Sequence, residues 1–306
     1  MQNSWYLIGN PNSGKGKVSS FITEIQKYFE AHSLTLQICE DFEKQSFLRT
    51  TEAIRKGYRK LLVCGGDGTI NQVVNAIFQQ NEVDPNDILV SFLPFGTGND
   101  WIKTVGIPVD SQKALELISH GNEKKLDVGE LWCSWGKERK KAYFINIAGI
   151  GYDAFVIEEM QKRTDLDNLG KLSYLTAAVG YLMKYKRTQM KITSEEFSYE
   201  GPVLSGCIGK GKYNGNGMMQ TPHADPENGK LAVMLMTDIS KLKLLTLTSN
   251  VYNGTFIKSK GIKTFETEKL HVESYPPVRV ECEGELLGFS PFDFTIIPKA
   301  FRILVP

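Results

Sequence analysis

A chain of 306 residues, 41% of them hydrophobic, is long enough to bury two cores. Its 36 Lys and Arg offset 35 Asp and Glu for a net charge of +1, so no global field draws it to nucleic acid or to an anionic surface. The five cysteines, Cys39, Cys64, Cys133, Cys207 and Cys282, stand singly, and the four histidines never fall at metal-ligand spacing, which argues against a disulfide framework and a zinc site and suits a reducing cytoplasm.

The opening residues, MQNSWYLIGN, lack a basic leader followed by an apolar stretch, and no uncharged run approaches the roughly 18 residues of a membrane span. The reading is a cytoplasmic protein that is at most peripheral to the inner face of a membrane. Trp5 to Gly9 reads as a strand, and Val18, Phe21, Ile22, Ile25 and Phe29 follow at helical spacing. The same order returns with LLVC at 61–64, the loop GGDGT, and the helical set Ile70, Val73, Val74 and Ile77. A third unit runs from ILVSFLPF at 88–95 through GTGND, and a helix at 111–120 stops at Gly121. This alternation predicts a Rossmann-like α/β domain with a parallel sheet covered by helices. From about Lys125 the texture changes to strand-like runs: LDVGELW, KAYFINIAGIG, QMKITS, PVLSGCIG, KLAVMLM, KLHVES, VRVECEG and FTIIP. Helical patterns interrupt them at 169–187 and near 241–253. The predicted organisation is an α/β domain over 1–127 and an antiparallel β-sandwich over 128–291, with a tail of about 292–306 packing back on the first domain.

Three loops of the first domain, GNPNSGKGK, CGGDGT and PFGTGND, follow predicted strands and should emerge at the carboxyl edge of the sheet, where α/β folds bind ligands. The first has P-loop spacing, yet Gly16 stands where that motif requires Ser or Thr. Glycines let backbone N–H groups approach phosphate oxygens, and helix N-termini add partial positive charge. Asp67 sits between glycines in GGDGT, Asp100 closes GTGND, and Asp127 follows in KLDVG after a helix-containing insertion. Carboxylates beside a phosphate repel it unless a divalent cation lies between, so magnesium is the natural inference. The alternative is that Asp67 shapes a tight turn and Asp100 caps a helix.

GGDGTINQVVNAI at 65–77, LPFGTGNDW at 93–101 and NPNSGKGK at 10–17 resemble the diacylglycerol kinase catalytic family, particularly its bacterial lipid kinases. GGDGT is also shared with NAD kinases and 6-phosphofructokinases, so it speaks for a kinase-like ATP site. NIAGIGYDA at 146–154, GKGKYNGNGMMQTPHADPENGKLAV at 209–233 and CEGELL at 282–287 resemble the later motifs of the lipid kinases in the same order. The resemblance implies an NAD kinase- or phosphofructokinase-like first domain. It implies that Asn10, Pro11, Asn12, Ser13, Gly14, Gly65, Gly66, Asp67, Gly68, Thr69, Ile70, Asn71, Thr97 and Asn99 line ATP. It further implies that Asp67, Asp100 and Asp127 organise Mg2+ and its waters, Asp67 acting in catalysis, with magnesium held from outside the first loop.

The same resemblance places the acceptor-side acids at Glu283 and Glu285, where the lipid kinases carry Asp-Gly-Glu and this chain carries Glu-Gly-Glu. Glu283 is expected to act as general base and Glu285 to orient it. A structural magnesium of the family would fall at Asp225, Asn228 and Lys230. Here the family's Asp-Gly is Asn228-Gly229, so that site is expected to be weak or empty unless Asp225 compensates. The segment 169–187 puts Leu169, Leu172, Leu175, Val179, Leu182 and Met183 on one stripe and ends in Lys184, Lys186 and Arg187. It either lines an acyl-chain pocket or is core. The expected protein is an ATP-dependent lipid kinase that meets its lipid substrate at the bilayer surface, with diacylglycerol as leading acceptor and phosphatidic acid as product. The alternatives are a kinase of a soluble acceptor such as NAD, or a catalytically impaired nucleotide- or lipid-binding module. No nucleic-acid partner is expected, and a homodimer is left open.

Overall fold

The computed structural model describes residues 4–9, 14, 16–39, 45–162 and 179–306. The chain forms two compact units, Met1–Val128 with Pro298–Pro306, and Gly129–Ile297.

The first unit contains β1 (Trp5–Gly9), α1 (Lys17–Ala31), β2 (Leu36–Ile38), α2 (Ser46–Arg55), β3 (Lys60–Gly65), α3 (Asp67–Gln79), β4 (Leu89–Pro94), α4 (Asp100–Val105) and α5 (Ser111–His120). Its strands are parallel in the order β2-β1-β3-β4, and the chain's last residues pair parallel to β4 through Arg302 opposite Leu89 and Ile303 opposite Val90. The strands are buried almost throughout, as a sheet with both faces covered requires. In α3, Ile70, Val73, Val74 and Ile77 recur at 3 and 4 residues and are all buried. α5 starts where the Asp110 carboxylate accepts from the Lys113 amide and ends at Gly121. α2 escapes the periodicity argument because Arg49 and Thr50 occupy its buried face. The Arg49 guanidinium donates to the Gly9 carbonyl and tethers α2 to the end of β1.

The second unit is the expected antiparallel sandwich. One layer runs β12 (Ile262–Thr267), β11 (Leu231–Met236), β10 (Ser205–Gly209), β7 (Ile147–Gly151), β14 (Arg279–Cys282) and the start of β15 (Glu285–Val305). The other runs β9 (Ser198–Val203), β8 (Thr188–Thr193), β13 (Lys269–Tyr275) and the middle of β15. β5 (Asn122–Trp135) and β6 (Glu138–Phe144) form a hairpin. Phe144, Ile150, Met190, Ile192, Val233, Val272, Phe292 and Phe294 fill the core between the layers. Ile147, Cys207, Met234 and Phe256 lie in a smaller cluster with Leu244 and Val251 of the short helices α7 (Lys241–Thr246) and α8 (Thr248–Val251). The run KAYFINIAGIG is two strands broken at Ile145–Asn146, and α6 (Tyr152–Gln161) follows β7 directly.

Candidate active site

In the first unit β1, β3 and β4 are neighbouring parallel strands, so the loops that leave them share one edge. Gly16 is the N-cap of α1 at φ +85°, a conformation that strains Ser or Thr. The second and third loops touch backbone to backbone: a Cβ on Gly96 would lie 2.6 Å from the Gly66 Cα. A cleft of about 710 Å³ opens beside them, lined by Gly14, Lys17, Phe95, Thr97, Asn99 and Ser111 among others. Asn99 sits at φ +46°, its Nδ2 donates to the Gly96 carbonyl at 2.8 Å, and its buried Oδ1 has no hydrogen-bond partner. An orphaned acceptor at the cleft wall suits a ligand donor. Gly65 ends β3 beneath the Thr69 side chain, and Gly68 and Thr97 are exposed. Asn71 is buried, its Oδ1 accepting from Asn75. Ile70 departs from the expectation, since its side chain is fully buried and belongs to the core, leaving only its backbone for a ligand. Asn10, Pro11, Asn12 and Ser13 lie outside the described residues.

Asp67, the first residue of α3, caps α4: its Oδ2 accepts from the Asp100 amide at 3.1 Å and its Oδ1 from the Trp101 amide at 3.3 Å. Burial pushes the Asp67 carboxyl up, and the two amides pull it partly back. Asp100 is buried and pairs with Lys103 at 2.6 Å. Both carboxylates face Gly98, whose Cβ position lies 3.3 Å from Asp67 Oδ2 and 3.8 Å from Asp100 Oδ2. Asp127 is also buried, but its Oδ1 accepts from the Lys299 amide at 2.9 Å. Among the described residues no three His, Cys, Asp or Glu side chains gather as a metal cage. Asp67 and Asp100 thus come together at Gly98, while Asp127 holds the Lys299 amide of the returning C-terminal segment. A pair fits magnesium, which takes one or two carboxylates and completes its shell with water and phosphate.

In the second unit β14 and β15 are joined by Glu283 at φ +52° and Gly284 at φ +90°, a type I′ pattern. Glu283 Oε1 accepts from the amides of Ile145 and Asn146, both at 2.7 Å, and the Glu283 amide donates to the Ile147 carbonyl at 3.1 Å. The residue expected to be the general base is thus a strap that satisfies the break between β6 and β7. Glu285 is solvent-exposed.

Two acids, Glu281 buried and Asp153 half-buried, were not singled out from the sequence. Asp153, at the start of α6, is bonded by Ser205 Oγ at 2.8 Å, Cys207 Sγ at 3.0 Å and Gln220 Nε2 at 3.2 Å, and burial raises its carboxyl. Glu281 accepts from the Gly284 amide at 2.8 Å, and burial, with lesser contributions from Asp153 and Glu283, pushes its carboxyl up to about 8. They flank Gly149, whose Cβ position is 2.5 Å from Glu281 Oε1 and 2.7 Å from Asp153 Cβ. Asp153 and Gln220 also line an otherwise apolar cavity of about 120 Å³, walled by Val156, Leu182, Met236 and Phe256 among others. Val179 and Leu182 of the expected stripe line it, whereas Met183 is 59% exposed and points elsewhere. Leu169, Leu172 and Leu175 lie outside the described residues. The signal for Asp153 was its place directly after a glycine-rich strand end in GIGYDA. Glu281 gave none, because alternation assigns it the outer face, which α6 covers.

The carbonyls of Asp225 and Lys230 and the Oδ1 of Asn228 do converge, but on the ammonium of Lys210, at 2.5, 2.7 and 3.1 Å. The Asp225 carboxylate, expected to compensate for Asn228, accepts instead from the Glu227 amide at 2.8 Å.

Residues 4–131 match the model of the diacylglycerol kinase catalytic domain, and residues 146–305 that of the YegS C-terminal NAD kinase beta sandwich-like domain. The protein called "Probable lipid kinase YegS-like" of Shewanella frigidimarina is 28% identical over 274 residues, covering 89% of this chain and 85% of its own. "Probable lipid kinase YegS" of Escherichia coli O127:H6 is 28% identical over 298 residues, covering 96% and 94%. A solved structure of "a putative diacylglycerol kinase" from Bacillus anthracis superposes with a TM-score of 0.79 at 20% identity, over 99% of this chain and 95% of that one. Yeast NADH kinase complexed with NADH gives 0.57 at 10% identity, over 100% and 84%. At such identities the structural likenesses bear on the fold alone.

Proposed function

We propose the following reaction for this chain, which belongs to the diacylglycerol kinase family in its form with a YegS-type C-terminal domain and is a kinase: it moves the γ-phosphoryl group of ATP to the hydroxyl of diacylglycerol, giving phosphatidic acid. The observation that carries the acceptor class is the apolar cavity whose polar end is Asp153 and Gln220. A neutral lipid with one hydroxyl fills such a site without burying a new charge, and its O–H donates to Asp153.

The nucleotide lies in the cleft beside Gly14, Thr97 and Asn99, its phosphates against the glycine loops and the N-terminus of α3. Asp67 and Asp100 would hold Mg2+, which would supply positive charge to offset that of the transferring phosphoryl group. The Asp67 bonds to the α4 amides fix both carboxylates relative to Gly98. On the acceptor side Asp153 orients the hydroxyl. We assign removal of its proton to Glu285, which is exposed, because Oε1 of Glu283 already accepts from the Ile145 and Asn146 amides and holds that side chain in place. Among the described residues no helix is long and apolar enough to cross a membrane. The exposed Met183 and Leu242, with Lys184, Lys186 and Lys243 also exposed, are taken as the surface that meets an anionic bilayer and delivers the lipid.

The test is labelled ATP offered with diacylglycerol, sphingosine and NAD in detergent micelles. Labelled phosphatidic acid is the expected product. Label in NADP would restore the soluble-acceptor reading, and label in sphingosine phosphate would mean that Asp153 pairs with an amine.

A further inference from the structure

We propose that Lys210 is the resident cation of the turn at 225–230, standing in the place of a divalent ion, so that the second unit is built without metal. The site has the form of a cation cage: two backbone carbonyls and one side-chain amide oxygen, from Asp225, Lys230 and Asn228, aim at one point. The point is filled by Nζ of Lys210, a side chain with no exposed surface. An ammonium has three N–H donors, and three oxygens receive them. Burying an ammonium is costly unless each hydrogen is bonded, and this arrangement meets that condition.

The donor set fits an ammonium and does not fit magnesium. Magnesium demands near-octahedral geometry and is usually held by one or two carboxylates, whereas these three oxygens are neutral. Of the two carboxylates in the turn, both on exposed residues, that of Asp225 accepts from the Glu227 amide. Asn228 is itself fixed, its Oδ1 also accepting from the Lys230 amide at 3.0 Å and its Nδ2 donating to Glu266 at 2.9 Å. Lys210 and Asn228 thus form a matched pair: the chain supplies the positive charge and withdraws the negative one.

The position has a second consequence. The Lys210 amide donates to the Asn146 carbonyl at 2.7 Å, and the Asn146 amide donates to Glu283. One residue therefore links the 225–230 turn, through its ammonium, to the segment that seats the Glu283–Gly284 hairpin, through its backbone. Alignment of that hairpin is expected to be indifferent to free magnesium, so all magnesium dependence of turnover belongs to the nucleotide.

The experiment uses the full-length, nucleotide-free protein. After dialysis against EDTA and then metal-free buffer, atomic emission should find well under one divalent ion per chain, and the thermal midpoint should agree within about 1 °C between EDTA and millimolar MgCl2. Lys210→Met should lower the midpoint by roughly 5 °C or more, in both buffers. Lys210→Ala combined with Asn228→Asp opens the space and supplies a charged ligand, and its midpoint should rise on adding Mg2+ or Mn2+. A stoichiometric ion retained by the unmodified protein, or a midpoint that falls by several degrees in EDTA, would overturn the proposal, as would a Lys210→Met variant as stable as the parent. Should the Lys210 variants fail to fold, the metal content and EDTA response of the parent protein decide alone.

Discussion

Glu281 offers the sharpest physical test of the second unit. Its carboxyl is wholly buried and raised from 4.5 to about 8, first by desolvation and then by Asp153 and Glu283, against hydrogen bonds from the Gly284 amide and Asn214 that pull it down. Below pH 4.5 it is neutral in both the folded and the unfolded chain. Above that the unfolded chain loses the proton and the folded chain keeps it, so the stability it contributes at low pH is lost as pH rises, until about 8. Each pH unit of displacement is worth about 1.4 kcal/mol, or roughly 5 kcal/mol over the whole window and roughly 2.5 kcal/mol between about pH 5.5 and 7.5. For a unit of this size that is a fall of roughly 5–10 °C in the unfolding midpoint over those two pH units. Glu281→Gln keeps the shape and an acceptor for Gly284 but cannot ionise. The assay is the thermal midpoint of both proteins across this range, read as their difference so that other titrating groups cancel. The gap should widen with pH in favour of the variant. Parallel curves would refute the reasoning, because they would mean that Glu281 is already ionised in the folded protein at low pH.

Asp67→Ala should reduce turnover by more than about 100-fold, while the lost α4 cap costs only about 1 kcal/mol of stability; near-normal turnover in folded protein would remove Asp67 from the metal site. Leu182→Phe narrows the cavity from its own wall and should raise KM for the lipid several-fold with KM for ATP unchanged, whereas Met183→Glu, on an exposed side chain, should leave the cavity intact. Asp153→Asn should likewise raise KM for the lipid more than KM for ATP, and an unchanged lipid KM would take Asp153 off the acceptor. Glu285→Gln should cost on the order of 10²–10⁴ in turnover at unchanged stability, and Glu283→Gln should lower the thermal midpoint by weakening the Ile145 and Asn146 bonds; turnover that ignores Glu285 but collapses with Glu283 at full stability would reverse the assignment.

The first unit was legible because its strands and helices obey one simple rule each. Leu61 to Cys64 is a continuous apolar run, Ile70 to Ile77 keeps a 3.6 period, and glycines mark the turns between. What escaped was polar burial. Arg49 and Thr50 sit on the inner face of α2, where a hydrophobic template sees nothing, although the Arg49 bond to the Gly9 carbonyl accounts for its place. The second unit shows the same limit more strongly. Val280 and Cys282 alternate onto the core side of β14, but alternation alone cannot tell that the opposite face is covered as well, and so it gives no sign that Glu281 is buried.

The acceptor-side motif shows why a motif position and a chemical role are different things. Matching Glu283 to the first acid of the family's Asp-Gly-Glu assumes that equal positions reach equal places. Glu carries one methylene more than Asp, and from a residue at φ +52° that length takes Oε1 to two backbone amides across the hairpin. Those amides must find acceptors once the chain breaks between β6 and β7, since unpaired backbone N–H groups are costly. The longer acid is therefore engaged by backbone amides, and on the proposed reading the task of accepting a proton passes to the exposed Glu285. The same logic governs Asn228. Losing its charge would leave a cation site too weak to close the turn, unless a cation came with the chain, and Lys210 is placed to be that cation. In both cases the departure from the family pattern is intelligible only together with its partner, Ile145 and Asn146 for one, 138 and 137 residues away, and Lys210 for the other, 18 residues away.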